Sequence, residues 1–322
     1  MKRYLFGCLV LIFNGFPLPS FSQQGPLFTQ YIFNGLILNP AYAGYQENTQ
    51  INTTYRSQWS GFPYSPKTFS VSGDGLILGD RLGLGLLFTN DQLGAQENLT
   101  AELDISYRLH LSEKSNLNFG LGVNLNQNSV NQSLLTLQQP EAVTSKFLLN
   151  TLFTNLRFGL YWYDPKGYLG LSLNDLRNIE VSPGTYYLGI HPIYYFTGGK
   201  LWGEETGYKI KSSLLIQEDF KSPTNLDLNL LLLFPQNLGV GIGYRSEIAG
   251  KSLRASTQSL SAANAVSFSV EIYTRQNLRI GYSFDYSLNT LADASQGSHE
   301  ISLTYSFSRR RILDPTRKCY FF

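Results

Sequence analysis

The stretch Asn98-Leu99-Thr100-Ala101-Glu102-Leu103-Asp104-Ile105-Ser106-Tyr107-Arg108-Leu109-His110-Leu111 alternates without a break. Leu99, Ala101, Leu103, Ile105, Tyr107, Leu109 and Leu111 share one face, and Asn98, Thr100, Glu102, Asp104, Ser106, Arg108 and His110 share the other. A period of two is the signature of a strand, whereas a helix would scatter these charges around all its sides. After Ser112-Glu113-Lys114-Ser115 the pattern resumes, with Leu117, Phe119, Leu121, Val123 and Leu125 set against Asn118, Gly120, Gly122, Asn124 and Asn126. The two runs make a hairpin. Each is as long as a bilayer-crossing strand, which needs about ten residues with one lipid-facing and one lumen-facing row.

The same alternation recurs along the chain. Its apolar rows are Ile51, Thr53, Tyr55 and Trp59; Phe69 and Val71; Leu82 to Phe88; Leu156 to Trp162; Leu169 to Leu173; Tyr208 to Ile216; Leu226 to Phe234; Leu238 to Tyr244; Val266 to Ile272; Leu278 to Tyr286; and Ile301 to Phe307. A further strand around residues 186–197 is interrupted by Pro192, which cannot donate to a ladder. The sum is an all-β, transmembrane antiparallel β-barrel of about fourteen strands. Short links at 112–115, 164–167, 235–237 and 274–277 alternate strictly with long ones at 128–150, 175–184, 247–262 and 288–298. Outer-membrane barrels have short periplasmic turns and longer outer loops, so this phase and an even strand number place both termini in the periplasm. Tyr55 and Trp59, Tyr161-Trp162-Tyr163, and Tyr282 and Tyr286 suit aromatic girdles. A soluble β-sandwich would also alternate, but it would need partner sheets to cover its apolar rows and a more charged polar row.

Composition agrees. Charged residues are 15% of the 322, against roughly 25% in soluble proteins, and no apolar run reaches the length of a membrane helix. Met1-Lys2-Arg3, an apolar run from Tyr4 to Phe13 and Ser20-Phe21-Ser22 read as a signal peptide cleaved after Ser22. Leu5-Phe6-Gly7-Cys8 is lipobox-like but lies too near the start of the chain. Without the leader, acidic and basic residues are equal in number and Cys319 is the one cysteine left. That excludes an intrachain disulfide, and the neutrality argues against a nucleic-acid partner.

The inward row carries Arg56, Glu102, Asp104, Arg108, His110, Arg157, Asp227, Arg245, Glu271, Arg279, Asp285 and Glu300. Acids and bases are mixed, which suits lumen ion pairs that hold the wall and any plug; a substrate path is the alternative. Gly83, Gly85, Gly120, Gly122, Gly239, Gly241 and Gly243 thin the same row, leaving space for bulky lumen side chains or for a segment of chain. The division expected is a signal peptide (1–22), an N-terminal segment plugging the lumen or capping its periplasmic mouth (23–48), the barrel (49–308) and a basic periplasmic tail (309–322). His110, His191 and His299 lie far apart, and no zinc spacing, nucleophile elbow or phosphate-binding glycine loop is present, so no catalytic, cofactor or metal site is expected. His299-Glu300 reads as a rim hydrogen bond.

Phe28-Thr29-Gln30-Tyr31-Ile32-Phe33-Asn34 followed by Leu38-Asn39-Pro40-Ala41-Tyr42-Ala43-Gly44, then Tyr55-Arg56-Ser57-Gln58-Trp59 and Pro66-Lys67-Thr68, resembles the opening of the PorP/SprF outer-membrane proteins of the type IX secretion system of Bacteroidota. Gly170-Leu171-Ser172, Gly241-Ile242-Gly243-Tyr244-Arg245, Leu278-Arg279-Ile280-Gly281-Tyr282, Asp285-Tyr286 and Gly297-Ser298-His299-Glu300-Ile301 extend the likeness over nearly the whole mature chain. It departs around His191-Pro192-Ile193 and is loose in the last nine residues. The resemblance implies a non-enzymatic outer-membrane role in the secretion or surface anchoring of cognate cargo, adhesin-like proteins with a C-terminal signal domain, and in gliding motility. The partners it implies are that cargo domain and periplasmic ring or peptidoglycan-linked components, beside outer-membrane lipid. The alternative is a fatty-acid-channel-like transporter of small hydrophobic molecules, since such channels carry an Asn-Pro-Ala hatch, as in Asn39-Pro40-Ala41.

Overall fold

A sheet with one apolar and one polar row must give the two rows different surroundings, and closure into a ring does so while leaving no open edge. The computed structural model describes residues 28–46, 48–131, 150–176, 179–180, 191–203, 207–248, 264–289, 292 and 295–307. The signal peptide and the basic tail expected from the sequence lie outside these residues. The strands are β1 (Thr49–Ser57), β2 (Lys67–Leu78), β3 (Leu82–Leu93), β4 (Gln96–His110), β5 (Asn116–Val130), β6 (Asn150–Tyr163), β7 (Gly167–Asn174), β8 (Ile179–Glu180), β9 (Ile193–Gly203), β10 (Lys209–Glu218), β11 (Thr224–Phe234), β12 (Leu238–Ile248), β13 (Ala265–Tyr273), β14 (Leu278–Ser287) and β15 (Ser298–Phe307). Each pairs antiparallel with the next, except that β7 passes on to β9 and the two-residue β8 adds to the edge of β6. Pairing of β15 with β1 completes a closed ring of fourteen strands.

The alternation read from the sequence is the alternation of the wall. Leu103, Ile105, Tyr107, Leu121, Val123, Phe158, Leu171, Leu230, Ile242, Phe268, Tyr282 and Leu303 are exposed on the outside, while inward polar residues such as Asp104, Ser106, Asn124, Arg157, Ser172, Ser283 and Ser302 are buried. In water such an apolar belt would be unfavourable; in lipid it is the required surface. Asn237 and Asn277, at φ 63°, make two of the tight links, a left-handed conformation that asparagine tolerates.

Several expectations are corrected. Pro192 precedes β9 rather than interrupting it, because the ladder starts at Ile193. Trp59, at φ 49°, lies beyond the end of β1 and so is not part of its apolar row. Tyr161 and Tyr163 are buried inside the ring and only Trp162 of that triplet points outward, because period two cannot send three consecutive residues to one face. Loop lengths are less regular than a strict alternation: 94–95 and 219–223, on the end that carries the long loops, are short. At the first of these, Gly94 with φ 62° lets two residues join β3 to β4.

Residues 28–45 run inside the ring. Three 3₁₀ turns, Tyr31–Phe33, Gly35–Ile37 and Pro40–Tyr42, carry half of the segment. Asn39 starts the last turn: its side-chain oxygen accepts from the Ala41 N–H at 2.9 Å, and Pro40 takes the first helical position, where no N–H is needed.

Candidate functional site

The interior segment and the inward row form one interface with three kinds of contact. The first is a charged clamp around Thr29 and Gln30. Arg56 on β1 faces Glu300 on β15 in the seam that closes the ring. Its Nη1 lies 2.9 Å from Glu300 Oε2 and its Nη2 2.7 Å from Asp285 Oδ2. Glu300 also accepts the backbone N–H groups of Thr29 and Gln30, at 2.8 and 2.9 Å. The Thr29 hydroxyl donates to Asp285 at 2.6 Å and accepts from Arg56 at 2.7 Å. Beside them Arg245 pairs with Asp227 at 2.7 Å and approaches the Phe28 carbonyl at 3.3 Å. Two arginines thus meet three carboxylates, and the backbone donors of the segment help to satisfy the acids. Buried charges persist when they are matched by such hydrogen bonds.

The second contact is a set of cations aimed at carbonyl oxygens. Arg157 pairs with Glu102 and Asp104 and donates to the carbonyls of Leu36 and Ile37 at 3.1 and 3.0 Å. Arg108 donates to the carbonyls of Gly44 and Tyr45 at 2.5 and 3.0 Å. Arg279 lies 4.2 Å from the centre of the Phe33 ring and 3.3 Å from the Phe33 carbonyl. Asp74 accepts from the Gly44 N–H at 3.0 Å.

The third is shape. A Cβ on Gly120 would meet the Ala41 backbone, one on Gly83 the Ala43 carbonyl, and one on Gly85 the Leu36 side chain at 2.7 Å. Gly83 and Gly85 of β3 and Gly120 of β5 are therefore the floor on which the segment lies. Gly44 is fixed from its own side: its φ is +64° and a Cβ there would sit 2.7 Å from the Gly83 backbone. Tyr42 and Tyr45 pack edge-on against Tyr161, and Tyr45 also against Tyr163, with ring centroids 4.9 to 5.6 Å apart, while Tyr168 stacks on Tyr161 at 5.4 Å. On the opposite wall Phe28, Tyr31, Ile32, Phe33 and Leu38 pack on Leu215, Leu231 and Leu233.

The residues singled out in the sequence thus fall on both sides of one contact. Phe28, Thr29, Gln30, Tyr31, Asn34, Asn39, Pro40, Ala41, Tyr42 and Gly44 lie on the segment, and Arg56, Glu102, Asp104, Arg108, Arg157, Arg245, Asp285 and Glu300 on the wall around it. Tyr55 points out of the wall, and Gln58 and Trp59 lie in the link after β1, where the Gln58 N–H donates to the Pro66 carbonyl at 2.9 Å. His110 is a correction. It shares the parity of Arg108 but lies past the mouth, exposed, and pairs with Asp80 at 3.0 Å. Nor do His299 and Glu300 bond each other at the rim: adjacent in β15, they face opposite sides, His299 bonding Tyr282 at 2.8 Å on the outside and Glu300 accepting the Thr29 N–H inside.

Sequence reasoning overlooked Asp74, the tyrosine cluster and the inward leucines. The last had a signal, since Leu230-Leu231-Leu232-Leu233 is apolar on both faces, as a strand covered from both sides would be. Beneath Tyr42 a cavity of about 20 Å³, lined by Tyr31, Asn39, Tyr161, Tyr168 and Thr197, has room for about one water. Among the described residues no three His, Cys, Asp or Glu side chains are grouped to hold a metal.

Among solved structures, the chain is similar to the CymD monoaromatic hydrocarbon channel (12% identity, TM-score 0.48, covering 90% of this chain and 95% of that one). It is similar also to the toluene transporter TbuX of Ralstonia pickettii (10%, 0.47, covering 85% and 93%) and to a TodX hydrocarbon-channel mutant (12%, 0.47, covering 84% and 92%). No curated protein matches it. The model of the type IX secretion system membrane protein PorP/SprF matches residues 20–305. With that match over most of its length, and with a closed fourteen-strand barrel as its fold, the chain belongs to the PorP/SprF family of type IX secretion outer-membrane proteins.

Proposed function

We propose that this barrel is a non-enzymatic, non-conducting scaffold of the type IX machinery that supports secretion or surface anchoring of a cognate cargo protein. The long-loop end faces outward and meets the cargo's C-terminal signal domain. The short-turn end and the tail face the periplasm, toward ring or peptidoglycan-linked components. One observation supports the closed-lumen part of this reading: residues 28–45 lie against the inward row and engage its buried charges through backbone atoms. Transport of small hydrophobic molecules would require this segment to leave its socket, Asn39 included, whose amide donates to the carbonyls of Leu160 and Leu171 at 2.9 and 3.2 Å.

Mild-detergent purification of the barrel from its host tests the partners: a secreted protein's C-terminal domain or ring components should co-purify, and recovery of the barrel without either would overturn the reading. Planar-bilayer recording tests the lumen. No steady conductance is expected, and nanosiemens openings would point to a porin instead.

A further inference from the structure

The lipid-facing row is interrupted at one place. In the half of each strand nearer the short turns, Lys200 is the one charged side chain on the outward row among the described residues. It is paired with Gly167 on β7 and Ser212 on β10, and Gly198 precedes it on the same face, on its bilayer side. Three of its four outward neighbours therefore carry only a hydrogen or a hydroxymethyl group. A shallow notch results, with Leu169 and Leu214 on either side of Gly198. The fourth neighbour, Trp202, closes the notch toward the short turns. The Lys200 ammonium lies 4.2 Å from the centre of the Trp202 ring, a cation–π contact that holds the charge in place. The Trp202 indole N–H donates to the Ser212 hydroxyl at 3.0 Å, and that hydroxyl donates to the Lys200 carbonyl at 3.3 Å.

We propose that this notch seats one anionic phospholipid, with its phosphate on Lys200 and the first carbons of an acyl chain over Gly198, between Leu169 and Leu214. Charge complementarity selects the headgroup. Lys166, exposed in the turn before β7, adds a second cation beside the first, since its carbonyl accepts the Leu201 N–H at 2.7 Å. Neither lysine pairs with a carboxylate among the described residues, and a charge that faces lipid without a counterion is costly. Depth fits as well. Lys200 is three residues from the end of β9, about 8 Å of depth at a tilt near 40°, so its long stem carries the ammonium to the headgroup layer. A lysine that only snorkelled to water would need no gap on its bilayer side, and Gly198 supplies one.

The site needs only the lipid-facing belt, whichever mouth of the barrel faces outward. Native mass spectrometry tests it on the full-length barrel, released from detergent that contains equal amounts of phosphatidylglycerol and phosphatidylcholine, each variant first shown by gel mobility to be folded. One phosphatidylglycerol should be retained in preference to phosphatidylcholine. Lys200→Gln should lower that preference about fivefold, the weight of one lysine at an anionic surface, and Lys200→Arg should keep it. Gly198→Leu fills the groove and leaves both cations, so it should lower phosphatidylglycerol retention. Lys221→Gln, at an exposed position of the long-loop end, is the control and should change nothing. Equal retention of the two lipids by the wild type overturns the inference, as does an unchanged preference in Lys200→Gln or an equal loss in Lys221→Gln. Full retention by Gly198→Leu would leave a diffuse charge effect and overturn the notch.

Discussion

Replacing Arg56 by alanine should release one end of the interior segment and leave the other in place. Arg56 is 2% exposed and binds Glu300, Asp285 and the Thr29 hydroxyl at once. Breaking a buried ion pair by removing one partner costs about 3–5 kcal/mol. The lower figure applies here, because Glu300 keeps the Thr29 and Gln30 N–H groups and Asp285 keeps the Thr29 hydroxyl. About 3 kcal/mol corresponds to a factor on the order of 100 in the docked equilibrium. Hydrogen exchange read by mass spectrometry in detergent micelles measures it: amides of residues 29–33 should exchange on the order of 100-fold faster. Those of residues 41–45, held by Arg108, Asp74 and the glycine floor, should keep their protection. Arg56→Lys should fall between, since an ammonium cannot span two carboxylates and a hydroxyl as a guanidinium does. Exchange at 29–33 within threefold of the parent would refute the clamp. Equal acceleration at 41–45 would refute the independence of the two ends.

Leu121→Arg, at the most exposed apolar position of β5, should lower stability in lipid vesicles by about 2–4 kcal/mol if that face meets the bilayer core; urea titration reads it, and a neutral effect would count against the membrane belt. Gly120→Val places a branched side chain where the Ala41 backbone lies, so it should expel the 40–45 turn and convert a silent barrel into a conducting one in planar bilayers. Asp219, in the 219–223 link, is subject to partial burial, which alone would raise its pKa; hydrogen bonds from the N–H groups of Ser222 and Lys221 outweigh this and hold the carboxyl below its ordinary value. A depressed folded pKa stabilises above the unfolded value and is lost as pH falls through the folded one. The thermal-midpoint gap between wild type and Asp219→Ala should therefore be open at neutral pH and close toward pH 3.

The wall was legible because lipid and lumen impose one rule on every strand: residues 98–111 announce both faces, and the other strands repeat them. The contents of the lumen were legible only as a composition. Arg56 and Glu300 could be placed on the inward row, but Glu300 is held by the backbone of Thr29 and Gln30, and an N–H has no sequence signature. The tyrosines misled for a related reason. Aromatic residues serve equally at a lipid interface and in a packed interior, so Tyr161 and Tyr163 had to be assigned by parity, and identity alone pointed the wrong way. His110 failed differently: parity gave its face, but only the end of β3, whose ladder with β4 stops at Tyr107, shows that the wall beside it has ended there.

The clamp also ties the segment to the correctness of ring closure. Arg56 and Glu300 are directly opposed across the β1–β15 seam, the last pairing in chain order and the one that closes the ring. Slippage of that seam by one residue would send one of the two to the lipid face, since register and sidedness are locked at a period of two. Thr29 would then have no carboxylate at its N–H and no guanidinium at its hydroxyl. The contact spans 271 positions of sequence, so it cannot form until β15 is in place. The lower half of the segment faces no such condition, because the walls that hold residues 41–45 are β2 to β6, all made early in the chain. Docking of Thr29 and Gln30 therefore reports that the barrel has closed in register, and exchange protection at those two amides should appear only with the β1–β15 ladder, after that of residues 41–45.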